Sequence, residues 1–269
     1  MAVDKEIVAQ HLARLARAYG PDLTLPRRAA GSPAALPPAA GDRTAAAAPP
    51  APAAGDAAPA SPPPPAAPLP PPPPAAGQPT LDELRAAVLA CTRCKLHEGR
   101  RRAVFGEGNP RAEVMFIGEA PGAVEDQTGR PFVGPAGQLL DRILTGAMGL
   151  QRADVYIANI NKCRPPGNRP PEADEVAACL PYLTAQVALI RPRVIVCLGR
   201  TAAHNLLGRD EPMRALRGRD LSYQGIPVVV TWHPAYLLRE PERKRETWED
   251  IKRVNRLLGR PEVPPPPAP

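Results

Sequence analysis

The 269-residue chain has no unbroken stretch of about 18 apolar residues, the length a helix needs to cross a bilayer. It begins Met1-Ala2-Val3-Asp4-Lys5-Glu6, without the apolar segment of a secretory signal. A cytoplasmic location with no membrane partner is therefore expected. Cysteine is sparse, at five residues. In a compartment that keeps thiols reduced, clustered cysteines are read as metal ligands or redox groups rather than disulfides.

Proline is not sparse, but one long stretch of the chain has little of it. Of 40 prolines, 18 fall in residues 29–79, together with 20 alanines, and six more fall in residues 261–269. Proline fixes φ and removes a backbone donor, so a single globule carrying this load is excluded. One folded unit of single-domain size is expected over residues 80–260, where proline density is ordinary. Residues 29–79 read as a disordered linker with polyproline II character. Residues 261–269 read as a Pro-rich tail. Residues 1–28 form a short segment in which Val8, Leu12, Leu15 and Tyr19 recur at helical spacing. That segment, or the proline runs at 62–65 and 70–74, is where a partner protein would dock. The net charge of +7 falls on residues 80–260, which points to a polyanionic partner.

Within the expected domain, a helix is predicted over Leu81–Ala90. Four short apolar runs read as strands: Val114–Ile117, Val155–Ala158, Val194–Leu198 and Val228–Thr231. Helical patterns lie near 135–148, 172–190, 200–207 and 243–258. The alternation predicts an α/β fold with a mainly parallel sheet. Ligands bind such sheets outside the carboxyl ends of the strands. Three polar, Gly/Pro-rich loops leave that edge. They carry Gly118-Glu119-Ala120-Pro121-Gly122 with Gly129 to Gly137 downstream, then Asn159 to Arg169, then Trp232-His233-Pro234-Ala235-Tyr236. Together they predict a binding or catalytic cleft.

Cys91 and Cys94 form a C-x-x-C pair, Cys163 lies in the second loop, and Cys179 lies on the next helix. Four thiolates can hold a zinc ion or an iron–sulfur cluster, and His97 could replace one of them on zinc. Spacing alone leaves zinc and cluster equally open. Cys197, inside an apolar strand, reads as a core residue.

The first motif (Gly118-Glu119-Ala120-Pro121-Gly122), the run Gly129-Arg130-Pro131-Phe132-Val133-Gly134, the segment Asn159 to Asn168, His233-Pro234-Ala235 and the four cysteines together resemble the family 4 uracil-DNA glycosylases. The similarity covers about residues 81–258. The resemblance implies a three-layer α/β/α sandwich around a four-stranded, mainly parallel sheet. It also implies a [4Fe–4S] cluster on Cys91, Cys94, Cys163 and Cys179, and hydrolysis of the N-glycosidic bond of deoxyuridine in uracil-containing DNA by a monomer. A target base inside a duplex must first be flipped out of the stack.

Phe132 resembles the residue that stacks on the base. Asn159 can donate to uracil O4 while accepting from N3–H, a pattern cytosine cannot match. His233 resembles the donor to uracil O2 as charge builds on the leaving base. Gly118 and Ala120 belong to the first motif, at the substrate. Ala120 stands where family 1 enzymes carry a carboxylate, which leaves Glu119 and Asn168 as the expected water- and base-positioning pair. Glu125 is expected near the uracil 5-position, where it would exclude the thymine methyl. Arg100, Arg101 and Arg102 are expected phosphate contacts, and one of Tyr236, Leu237 and Leu238 is expected to wedge into the gap left by the flipped base. Competing expectations are a non-catalytic iron–sulfur module that binds DNA or accompanies a polymerase, and a zinc hydrolase. A covalent uracil-trapping relative carries a histidine-containing insertion, and Cys163–Pro171 has no histidine.

Overall fold

The computed structural model describes residues 79–261. The expected N-terminal segment, the Pro/Ala-rich linker up to residue 78 and the tail beyond residue 261 lie outside them.

The centre is a sheet of six strands: β1 (Glu107–Gly108), β2 (Val114–Gly118), β3 (Tyr156–Asn159), β4 (Val194–Leu198), β5 (Leu221–Tyr223) and β6 (Ile226–Thr231), in the order β1-β3-β2-β4-β6-β5. The four predicted strands form its parallel heart, β3-β2-β4-β6. Short antiparallel strands β1 and β5 extend it at either edge. Neither edge strand is foreseen, because two or three residues carry no readable alternation.

Successive side chains of a strand point to opposite faces. In β2 and β4 both sets are apolar and every residue is buried, as a sheet covered on both faces requires. Met115, Ile117, Ile195 and Cys197 pack against α5 (Ala173–Ile190) and α6 (Arg200–Leu207). Val114, Phe116, Val194 and Val196 pack against α4 (Pro135–Ile143) and α9 (Lys244–Leu258). The result is the expected α/β/α sandwich, with Cys197 in its core. A third apolar cluster joins α1 (Leu81–Leu89) to α5 through Leu84, Val88, Tyr182 and Ala185. α1 starts at a capping box in which Thr80 and Glu83 satisfy each other's backbone N–H.

α5 is 18 residues long and, by length and composition, apolar enough to span a membrane. It contains Asp174, Glu175 and Pro181, and Leu183 and Val187 lie fully buried in the core. Its apolarity is that of a core helix.

Register sets the site. Gly118 at the end of β2 stands beside Asn159 at the end of β3, and Leu198 of β4 stands beside Thr231 of β6. The pairing runs on past the strands, with Ile160 N–H donating to Gly118 O at 2.9 Å and Asn161 N–H to Glu119 O at 3.0 Å. Two short helices follow the loops, α3 (Ala123–Thr128) and α8 (Pro234–Arg239), the latter with proline at its first turn, and two more, α2 (Leu96–Gly99) and α7 (Met213–Leu216), lie elsewhere in the chain.

Candidate active site

The three loops converge on one cleft. Glu119, Ala120, Phe132, Asn159, Asn168 and His233 line it, so the sequence-predicted residues are brought together. Glu125 lines it too, and Gly118 does not.

Phe132 is 6% exposed and has φ 50°, the left-handed region that a bulky residue avoids. Such strain persists only where the surroundings over-determine it. Here a Cβ on Gly137 would fall 1.8 Å from Phe132 O, so only glycine lets α4 start this close. Arg152 grips the same turn, donating to Phe132 O at 2.9 Å and to Pro131 O. Glu107 on β1 holds Arg152 and, at 2.8 Å, Arg130. Burial raises the Glu107 carboxyl, but hydrogen bonds from Arg130 and Arg152 outweigh this and hold it below the usual carboxylate range. Sequence reading missed Arg152 and Glu107: both lie outside the motifs, and one sits on the unforeseen edge strand.

The Phe132 ring lies 5.6 Å from the His233 ring, tilted by 35°. His233 caps α8, its Nδ1 accepting from Ala235 N–H at 3.1 Å. The one proton of the neutral ring is thereby placed on Nε2, a donor. Burial, with help from Arg239 and against Glu125, lowers the His233 pKa to about 4, so the ring is neutral near pH 7.

Asn159 is 2% exposed, and its Oδ1 has no hydrogen-bond partner among the described residues. Buried acceptors are nearly always paired, so an unpaired one on a side chain that lines the cleft marks a place for a ligand donor. A Cβ on Gly118 would lie 2.4 Å from this oxygen and 2.4 Å from Phe132 Cζ. That corrects the expectation for Gly118: it is buried beneath the cleft, and what it supplies is the space in which Asn159 and Phe132 meet.

Glu125 lines the cleft with its carboxylate engaged. One oxygen accepts from Val133 and Gly134 N–H at 2.9 Å each, and the other from Gly122 N–H at 3.1 Å. Its carboxylate stitches the first motif to the Phe132 loop while the residue still lines the cleft. Asn168 stands exposed on the rim with φ 56°, and its Oδ1 already accepts from Arg164 Nε at 2.7 Å. Glu119 is half-buried, and its carboxylate has no hydrogen bond or ion pair among the described residues.

A second cavity lies at the other end of the Asn159–Cys163 segment. Cys91, Cys94, Cys163 and Cys179 line it together, with Arg100 and Lys162. The donor set arrives from the α1 end, the loop after β3, and α5. Cys163 Sγ accepts from Arg100 Nη1 at 3.0 Å, Cys179 Sγ from Lys162 N–H at 3.1 Å, and Cys91 Sγ from Arg93 N–H at 3.5 Å. Burial raises the Cys163 thiol, with Arg100 opposing, and pushes Cys179 up to about 12, with Lys162 opposing. His97 also lines the cavity, and its Nδ1–H donates to Cys94 O at 2.8 Å. Among the described residues, no three of these ligands converge closely enough to hold a single metal ion. Arg100 faces inward, onto Cys163 and Leu89 O, which removes it from the expected phosphate contacts. Arg101 and Arg102 are exposed.

The Uracil DNA glycosylase superfamily model matches residues 105–252, which hold the sheet and all three cleft loops. A type-4 uracil-DNA glycosylase of Saccharolobus solfataricus is 45% identical over 66% of this chain and 87% of its own length. One of Thermotoga maritima is 45% identical over 64% of this chain and 91% of its own. One of Archaeoglobus fulgidus is 41% identical over 67% of this chain and 94% of its own.

The chain belongs to the type-4 uracil-DNA glycosylases.

Membership gives the loops a common purpose. In this glycosylase the aromatic ring, the amide and the imidazole come from three loops and meet in one cleft. Of the residues that could wedge into DNA, Leu237 is fully buried, Tyr236 lines the cleft, and Leu238 is 43% exposed beside it.

Proposed function

We propose that the protein removes uracil from DNA by hydrolysing the N-glycosidic bond of a flipped deoxyuridine, leaving an abasic site. The observation that carries this reading is the unpaired, buried Oδ1 of Asn159, set beside the Phe132 ring and a neutral His233.

The flipped base stacks on Phe132. Asn159 Oδ1 accepts from N3–H and its amide donates to O4, which cytosine, with its donor and acceptor reversed, does not satisfy. As the bond breaks, negative charge gathers on the uracil. Nε2–H of His233 meets it at O2 as a fixed neutral donor in a largely water-free site. Glu119, the carboxylate left without a partner, orients the water and offsets the positive charge of the sugar. Asn168 completes the water site from the rim through its amide N–H, and Ala120 leaves room for the water. Glu125 holds the first motif against the Phe132 loop, and the closed loop excludes the thymine methyl. Leu238 fills the gap left in the stack, while Arg101 and Arg102 meet phosphates.

Cys91, Cys94, Cys163 and Cys179 would hold a [4Fe–4S] cluster. A zinc site needs its ligands to converge on one ion, whereas a cubane takes one thiolate on each iron. Donors to the sulfurs suit the cluster as well. When bound, it supplies a cross-link between the α1 end, the loop after β3 and α5. The catalytic domain is assigned to residues 80–260, working as a monomer in the cytoplasm. Residues 1–28 and the proline-rich linker are left for a protein partner.

Base release from a uracil-containing oligonucleotide tests the function. Wild-type protein is expected to give abasic product, and its absence with both single- and double-stranded substrates would sink the reading. A chain lacking residues 1–79 is expected to excise uracil at the same rate.

A further inference from the structure

Lys162 is 1% exposed, and no carboxylate among the described residues pairs with it. An unpaired buried ammonium is costly and calls for compensation. Two acceptors meet its Nζ: Asn159 O at 2.8 Å and Gln186 Oε1 at 2.6 Å. Gln186, fully buried on α5, is fixed in turn by donating to Phe105 O at 2.9 Å and Tyr156 Oη at 3.1 Å. Neither acceptor carries a full charge. The same lysine lines the cysteine cavity, and its own backbone N–H bonds Cys179 Sγ. One residue therefore touches both the thiol set and the main chain of the base-reading asparagine.

We propose that Lys162 is the counter-cation of the iron–sulfur cluster and the strut that sets Asn159 in register with it. A cubane on four thiolates carries net negative charge, which supplies the compensation that the surrounding protein does not. The charge holds Lys162 in place, and Lys162 holds the carbonyl of Asn159, so the Asn159 amide faces the cleft at a fixed angle. Lys162 is a positioning residue: it acts on the base only through Asn159. The inference rests on the cluster proposed above.

The test uses the full chain, purified without oxygen, as wild type, Lys162→Met and Lys162→Gln. Methionine removes charge and donor at similar volume, and glutamine removes the charge but keeps a donor for Asn159 O. Iron and sulfide content, the rate of absorbance loss under chelator, the cluster's midpoint potential and the kinetics of uracil release are measured. Both variants are expected to lose the cluster about tenfold faster, as loss of a residue supporting metal ligands does. Both should show a potential shifted negative, because a nearby cation favours the more negative reduced form. Lys162→Met should also lower kcat about tenfold, with DNA affinity little changed, as a misplaced reader would. Lys162→Gln should recover much of that loss. Wild-type potential and cluster lifetime in both variants would overturn the inference while leaving the cluster intact. A wild-type protein containing zinc and no iron or sulfide would overturn the cluster, and the counter-charge with it.

Discussion

The base cleft, lined by Asn159, and the cysteine cavity, lined by Lys162 and Cys163, lie at the two ends of one short segment, and their key groups are bonded differently. In the cleft, Asn159 Oδ1 is buried without a partner and the Glu119 carboxylate is unengaged among the described residues. In the cavity, Cys91, Cys163 and Cys179 each accept an N–H, and Arg100 faces inward to supply one of them. At the cleft, the unsatisfied Oδ1 of Asn159 is where a ligand donor can complete the bonding. The contrast extends to carboxylates: Glu125 binds three backbone N–H groups and braces, while Glu119, six residues earlier, is left to act.

The most severe break in the cleft is His233→Ala. Losing a preorganised donor to developing charge should cost about 10²–10³ in single-turnover uracil release. Affinity for uracil-containing DNA should survive, and both can be read with one labelled oligonucleotide. Gly118→Ala comes next. Its Cβ would collide with Asn159 and Phe132 at 2.4 Å each. Such a displacement should lower kcat by about 10², while cluster absorbance stays at the wild-type level, since the change touches only the cleft. Arg152→Met frees the carbonyls of Pro131 and Phe132. The strained turn can then relax, and excision should fall by about tenfold, equivalent to the lower end of the cost of such backbone strain. A wild-type rate would mean that Gly137 and packing hold Phe132 unaided.

A separate effect, on stability rather than rate, follows pH. The folded His233 has its pKa lowered to about 4 from an ordinary 6.5. Between these values the unfolded chain binds a proton that the folded imidazole refuses. Stability therefore falls as pH drops from about 6.5 toward 4 and is independent of this group above that window. Denaturant titrations of wild type and His233→Asn across pH 4–8 should show a shallower acid decline in the variant.

Much of the cleft was legible in the sequence, because loops at the carboxyl ends of strands carry chemistry in short runs of residues. Phe132, Asn159 and His233 lie in such loops, while the roles of Phe132 and His233, and the cluster on the four cysteines, came with the family resemblance. What supports them was not legible. Arg152 reaches Phe132 from 20 residues away, and Glu107 joins it from an edge strand of two residues. The bracing bonds of Glu125 and the room made by Gly118 were not legible, because a carboxylate's partners, and the space a missing side chain leaves, exist only in three dimensions. Arg100 looked like one of a run of surface arginines, yet its guanidinium turns toward a sulfur brought close by a distant part of the chain.

Uracil and cytosine release from matched oligonucleotides, by wild type and Asn159→Ala under single-turnover conditions, tests most directly whether the unpaired oxygen of Asn159 is the base reader. Uracil release alone is expected from wild type, with a loss of about 10² or more in the variant, because a site built to hydrogen-bond its substrate is then left without its partner. Wild-type-rate uracil release by Asn159→Ala, or equal release of cytosine by the wild type, would contradict it.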